Sequence, residues 1–190
     1  YSATFTARID GSSRFGENNK YGFFPSIGAS WVVTNEDFMS DVDFINYLRL
    51  RSSYGITGNT EIGLYQSLAT IGSGTSLIGG DRAPVSFPNR LPNPDLEWEK
   101  THMFNVGAEI NLFNENILIE GDYYYKLTND LLLSRPIPAT TGFTSITDNI
   151  GSVSNRGVDF KITSYNTRSA DFIWTTTLNF NYNKNRIESL

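Results

Sequence analysis

Glu120 and Asp122 are the first residues whose types and spacing could do chemistry, because two carboxyl groups on one face can act as the acid and base of a glycoside hydrolase. Both fall in a run where alternate residues are polar, so they share a strand face with Lys126, while Arg49 and Arg51 offer cations elsewhere. A charge network is therefore the expected arrangement, not a catalytic pair. The single histidine, His102, leaves triad and zinc chemistry short of imidazoles, and its phase with an apolar run predicts a solvated or interfacial ring. Cysteine is absent, which excludes disulfides, thiolate nucleophiles and cysteine-bound metals. The run Ile71 to Gly80 is rich in glycine, but it lacks a Gly-Lys-Ser/Thr ending and a following helix, so it reads as a flexible loop and not a phosphate cradle. Asp41 and Asp43 complete no calcium-loop pattern. No catalytic residue, metal ligand or cofactor site is expected. With 15 Lys and Arg against 20 Asp and Glu, a net charge of −5 and a pI near 4.9, nucleic acid is not an expected partner.

Binding chemistry is better represented. A polar stretch between two regular segments carries Tyr65, Gln66, Asp81, Arg82, Asn89, Arg90 and Trp98. Flat aromatic faces beside planar amides and guanidinium groups are what sugar recognition needs. These side chains are the candidate contacts for a substrate or a covering partner protein, and the alternative for each is that it packs the loop on itself or on such a partner.

The elements that position these residues read as strands, because apolar and polar residues alternate with period two. Seven runs show the pattern: Tyr1–Ile9, Phe23–Val33, Leu48–Ile56, Phe104–Leu112, Ile117–Leu127, Val158–Ser164 and Phe172–Tyr182. Their apolar faces contain no Asp, Glu, Lys or Arg. Their other faces mix Ser, Thr, Asn, Gly and Tyr with Arg8, Arg49, Arg51, Glu109, Glu120, Asp122, Lys126, Asp159, Lys161 and Asp171. A face free of charge is what lipid demands, and the polar mixture suits a hydrated lumen. The mean hydropathy is only −0.29 and no apolar run approaches the length of a transmembrane helix, so any crossing of a bilayer must be by strands. Connections alternate in length. Gly11–Gly22, Thr57–Glu97 and Thr128–Gly151 are long, Asn114–Asn116 and Asn166–Ala170 are short, and Thr34–Tyr47 is intermediate, with room for one short helix capped by Asn35. Long loops on one side and short turns on the other are the habit of outer-membrane barrels. Tyr54, Tyr123, Tyr125, Trp31, Trp174 and Tyr182, near the ends of the apolar bands, fit an interfacial girdle.

Several segments share one resemblance. Phe24-Pro25-Ser26-Ile27-Gly28-Ala29-Ser30-Trp31 followed by Asn35-Glu36-Asp37-Phe38-Met39, Leu48-Arg49-Leu50-Arg51-Ser52-Ser53-Tyr54-Gly55-Ile56-Thr57-Gly58-Asn59, Asn93-Pro94-Asp95-Leu96-Glu97-Trp98-Glu99-Lys100 with Asn105-Val106-Gly107, Gly151-Ser152-Val153-Ser154-Asn155-Arg156-Gly157-Val158, and Asn183-Lys184-Asn185-Arg186 resemble, in order, the barrel motifs of SusC/RagA-type TonB-dependent transporters. The resemblance implies an all-β, antiparallel up-and-down transmembrane segment of about seven strands within a larger barrel of about 22 strands. It also implies import of glycans or oligopeptides through the outer membrane of Bacteroidota, with a SusD-like surface lipoprotein as lid, outer-membrane lipid around the wall and the TonB complex acting through a plug. Residues 1–190 are expected to be a partial barrel domain, with signal peptide, plug and C-terminal strands absent, since the first residue already lies inside an alternating pattern. Two other readings keep the same residues. One is a soluble β-sandwich carbohydrate-binding module whose apolar faces meet in a core, and the other is a smaller self-contained barrel that oligomerises.

Overall fold

The computed structural model describes residues 1–190, save for the side chain of Glu17. Seven long strands form one antiparallel sheet: β1 (Ser2–Gly11), β2 (Tyr21–Val32), β3 (Ile45–Asn59), β6 (Glu99–Leu112), β7 (Ile117–Asn129), β10 (Ser152–Arg168) and β11 (Ile173–Ser189). Their spatial order is their chain order once two small hairpins are set aside, so the sheet is an up-and-down meander. The hairpins are β4 (Thr70–Ile78) with β5 (Asp81–Arg90), and β8 (Leu132–Pro136) with β9 (Ser145–Asn149).

All seven alternating runs are strands, and several are longer than their apolar stretches. β10 and β11 each reach 17 residues, well beyond the roughly 5–6 common in soluble sheets. The extra length is polar and continues the ladder past the apolar band, where backbone pairing no longer needs apolar side chains to drive it.

The register fixes two faces. On one, Phe5 faces Ile27, Tyr54 faces Phe104, Ile110 faces Ile119, and Phe160 faces Phe180. On the other, Arg49 faces Glu109, Glu109 faces Glu120, and Glu120 faces Lys161. No second layer covers the apolar face among the described residues. Phe5 is 70% exposed, Leu178 59% and Phe180 57%. This overturns the sandwich alternative, in which Ile119 and Leu178 would meet across a dry core. Among the described residues no helix is long and apolar enough to cross a membrane.

Two expectations for the connections are corrected. Within the long stretch 57–97, the glycine-rich run expected as a flexible loop forms β4, and Gly79-Gly80, at φ +65° and +99°, makes the tight turn into β5. A Gly-Gly pair between two strand-like runs is a hairpin signal in its own right, because only glycine takes left-handed φ at both positions without strain. The stretch 128–151 likewise holds the β8–β9 hairpin, which turns at Gly142. Between β2 and β3 there is no single helix capped by Asn35. Two 3-10 turns, Val33–Asn35 and Asp37–Met39, occupy the segment, Asn35 ends the first, and Glu36 precedes the second.

Candidate functional site

The conventional core of this chain lies at one end of the sheet, where the long connections gather. Phe15, Phe24, Leu96 and Trp98 are buried together, with Ile56, Ile62 and Leu132 packed against them. The Trp98 ring meets Phe24 edge-on at 5.2 Å and Phe15 at 5.5 Å. Phe24 also lies over Gly58, where a methyl group would be driven into its ring and into that of Trp98. Trp98 Nε1 donates to the Lys20 carbonyl at 3.2 Å, Asn19 Nδ2 to the Asp95 carbonyl at 3.0 Å, and Arg14 Nη1 to the Thr60 carbonyl at 2.6 Å. The Asn93–Trp98 segment is thus a clasp. Its Leu96 and Trp98 fill the core, while the Asn93 amide donates to the Thr147 carbonyl at 2.9 Å and the Glu97 backbone N–H donates to Asn149 Oδ1 at 2.9 Å. Three connections are tied into one body on the polar side of the sheet.

Above the clasp the two hairpins flank a groove of about 410 Å³. β5 contributes Phe87, Asn89 and Arg90, the opposite wall carries Phe143, Thr144 and Thr147, and Gln66 closes one end. The far edge of the Phe87 ring lies over the bare backbone of Gly72 and Gly74, leaving 46% of Phe87 exposed. Arg90 Nη1 donates to the Tyr65 carbonyl at 2.8 Å, and the Thr147 hydroxyl donates to Gln66 Oε1 at 3.4 Å. An aromatic surface beside an amide, a guanidinium group and hydroxyls can hold a neutral polar ligand by stacking and by hydrogen bonds.

The candidate contacts are thereby sorted. Gln66, Asn89 and Arg90 line the groove, and Tyr65 adjoins it through Arg90. Asp81 and Arg82 sit at the β4–β5 turn, paired with Ile78 and Leu77, away from the groove lining. Trp98 is only 7% exposed and packs the clasp, which was the alternative left open for it. Phe87, Phe143, Thr144 and Thr147 were missed. The signal for Phe87 was present in the glycines it covers, but that pairing is visible only once β4 and β5 are read as a hairpin.

The polar face carries the expected charge network in a more specific form. Glu109 accepts hydrogen bonds from both Arg49 and Arg51, and Arg51 reaches on to Asp122, while Lys161 Nζ contacts Glu120 at 2.9 Å. Gly107 stands between Arg51 and Asp122 in the register, and the bridge crosses its bare backbone. A methyl group there would collide with Asp122 and lie 2.8 Å from Arg51 Nε. Lys126 does not join this network; its Nζ stands over the Tyr124 ring at 5.3 Å. On the apolar face, His102 Nδ1 hydrogen-bonds with the Tyr54 hydroxyl at 2.8 Å. At the opposite end of the sheet Glu36 Oε1 accepts from Trp31 Nε1 at 2.9 Å; that bond, with one from Tyr1, holds the Glu36 carboxyl below its ordinary pKa.

Comparison with known proteins bears on this arrangement directly. The family model described as TonB dependent receptor-like, beta-barrel, matches residues 1–189. TonB-dependent receptor P39 of Formosa agariphila is 45% identical over the whole chain, which spans 18% of that protein. TonB-dependent receptor SusC of Bacteroides thetaiotaomicron is 37% identical, again over the whole chain and 19% of that protein. Among solved structures, the RagAB peptide importer in its open-open state superposes with a TM-score of 0.89 at 37% identity, covering 99% of this chain and 20% of the matched one. The chain therefore spans about a fifth of the length of these relatives. The relatives are receptors and transporters, not enzymes.

Proposed function

The chain belongs to the TonB-dependent receptor-like β-barrel family, and from that premise we propose that it is part of the wall of an outer-membrane importer of SusC/RagA type. The observation that carries this reading is the single-layer sheet with one exposed apolar face, free of charge across its central band, and one ion-paired polar face. The apolar face meets lipid and the polar face lines a hydrated lumen. The hairpin end is extracellular, and the short Asn114–Asn116 turn is periplasmic. Glycans or oligopeptides are the substrates, a SusD-like surface lipoprotein covers the hairpin end, and the TonB complex supplies the energy through a plug. The RagAB relative is a peptide importer, which supports the peptide half of this substrate class; the Phe87–Asn89 surface supports the glycan half.

The groove between the hairpins is the proposed contact surface for substrate or lid, with Gln66, Asn89 and Arg90 as contacts and Tyr65 beside them. Connections carried on a regular strand scaffold are where binding residues concentrate. In the full-length protein, replacing residues 70–90 by a short turn is expected to weaken substrate uptake or lipoprotein docking while the barrel still assembles in the outer membrane. Unchanged uptake and unchanged docking would make the hairpin a passive connector and refute the assignment.

A further inference from the structure

The outer face of β10 and β11 changes character along its length. On β11 the outward residues run Trp174, Thr176, Leu178, Phe180 and Tyr182, then Lys184 and Arg186. On β10 the matching residues are Ile162, Phe160 and Val158, then Arg156 and Ser154. Trp174 to Tyr182 covers roughly 27 Å of strand at ~3.4 Å per residue. Tilted by about 40°, that is roughly 20 Å of height, close to an apolar band of about 25 Å. Lys184 and Arg186 thus stand just beyond the hydrocarbon, past the rings of Tyr123 and Tyr182, with Lys184 level with Tyr125 in the register, at the end that carries the long hairpins.

Three cations meet there. Arg156 and Lys184 are directly opposite each other in the register, and Arg186 faces Ser154 one step on. Like charges placed opposite each other repel. Arg186 has a partial counter-charge in Glu188, at 3.6 Å, whose other oxygen accepts from the Ser154 hydroxyl at 2.6 Å. Arg156 and Lys184 have no ion-pair partner among the described residues. With Tyr125, Ser154 and Glu188 they line a small cleft of about 120 Å³ that opens on the lipid side. The charge is local. In the register row of Arg156 the neighbouring strands carry Tyr125, Phe104 and Tyr54.

We propose that Arg156, Lys184 and Arg186 form a site for the phosphate of a lipid headgroup on the membrane-facing wall. The proposal rests on the reading of this sheet as a lipid-embedded wall. A phosphate at headgroup depth supplies a counter-charge for Arg156 and Lys184 beside the one Glu188 gives Arg186, and arginine offers paired N–H donors to its oxygens. The acyl chains of the same lipid would lie along Phe160, Phe180 and Leu178, which remain bare below the cluster. An anion from bulk water gains only the first of these interactions, which is why a lipid is the chosen occupant.

The test uses the full-length transporter in nanodiscs of phosphatidylcholine with and without phosphatidic acid, with retained lipid counted by native mass spectrometry. The wild type is expected to keep phosphatidic acid at least tenfold over phosphatidylcholine. The triple variant R156A/K184A/R186A should lose that preference, whereas R156K/R186K should keep most of it and Lys126→Ala, on the lumen face, all of it. Should the triple variant fail to assemble, the single reversal Lys184→Glu is expected to lower retention severalfold. Undiminished retention in a correctly assembled triple or reversed variant overturns the site. Displacement of the lipid by an equal concentration of inorganic phosphate overturns the lipid assignment. A protein found in the outer membrane with uptake intact but no lipid preference refutes this site alone, whereas a protein that never reaches the outer membrane refutes the reading beneath it.

Discussion

The sheet and the clasp are held together by opposite means. In the seven-stranded sheet most large apolar side chains are exposed in isolation, and order comes from backbone ladders and from side chains meeting across neighbouring strands. In the clasp, Phe15, Phe24, Leu96 and Trp98 make a small core of the kind found in any soluble domain. The contrast shows that the same chain uses two solvents. The wall leaves its apolar surface for lipid to cover, and only where it emerges into water does it bury aromatics against one another. Breaking the two regions should therefore give different phenotypes, local loosening in one and failed assembly in the other.

The largest effect is expected in the clasp. Trp98→Ala removes an indole packed against two phenylalanines and a hydrogen bond to the Lys20 carbonyl, at a cost of about 3–5 kcal/mol to the local structure. In the full-length protein the barrel should still assemble, while limited proteolysis cuts within residues 60–97. Intact loops in that variant would mean the clasp is not what holds them. The wall responds differently. Ile119→Arg places a cation on the lipid face beside Ile110 and Ile162, costing roughly 2–4 kcal/mol near mid-bilayer. Its readout is urea-dependent folding into lipid vesicles, with loop protection unchanged in whatever fraction folds. Wild-type folding stability would refute lipid exposure of this face.

The difference also explains what the sequence revealed. All seven wall strands were legible because period two is a local property, repeated from Tyr1 to Tyr182. The charge bridges were half legible: Glu120 and Asp122 were expected in a network with Lys126, Arg49 or Arg51, but Lys126 stays outside it, and Glu109 as the shared acceptor and Lys161 as the partner of Glu120 depend on register, which single strands do not display. The clasp was not legible. Its members come from positions 15, 24, 96 and 98, and nothing in the local pattern of Asn93–Trp98 distinguishes a buried tryptophan from one that waits for a ligand. The groove suffered in the same way, since Phe87 and Phe143 are brought near each other only by two hairpins whose short, glycine- and proline-broken strands look like loops.

A smaller effect sharpens the comparison inside the wall itself, between its two faces. Gly107 and Gly121 are both strand glycines in the middle of the sheet, on β6 and β7. A methyl group at Gly121 would meet only the Phe160 ring at 3.6 Å, an ordinary contact on the lipid side. A methyl group at Gly107 would instead enter the Arg51–Asp122 bridge on the lumen side, and the bridge must shift to admit it. Gly121→Ala is therefore expected to leave stability within about 0.5 kcal/mol of the wild type, whereas Gly107→Ala should cost roughly 1–3 kcal/mol by overpacking. Pairing Gly107→Ala with Asp122→Asn separates packing from charge. If the bridge is the obstacle, the double variant loses less than the sum of the two single ones, because the strained contact is relieved once the ion pair is already weakened. Equal costs at the two glycines would show that the lumen wall tolerates side chains as freely as the lipid wall does, and that the ion pairs lie on the sheet without shaping it.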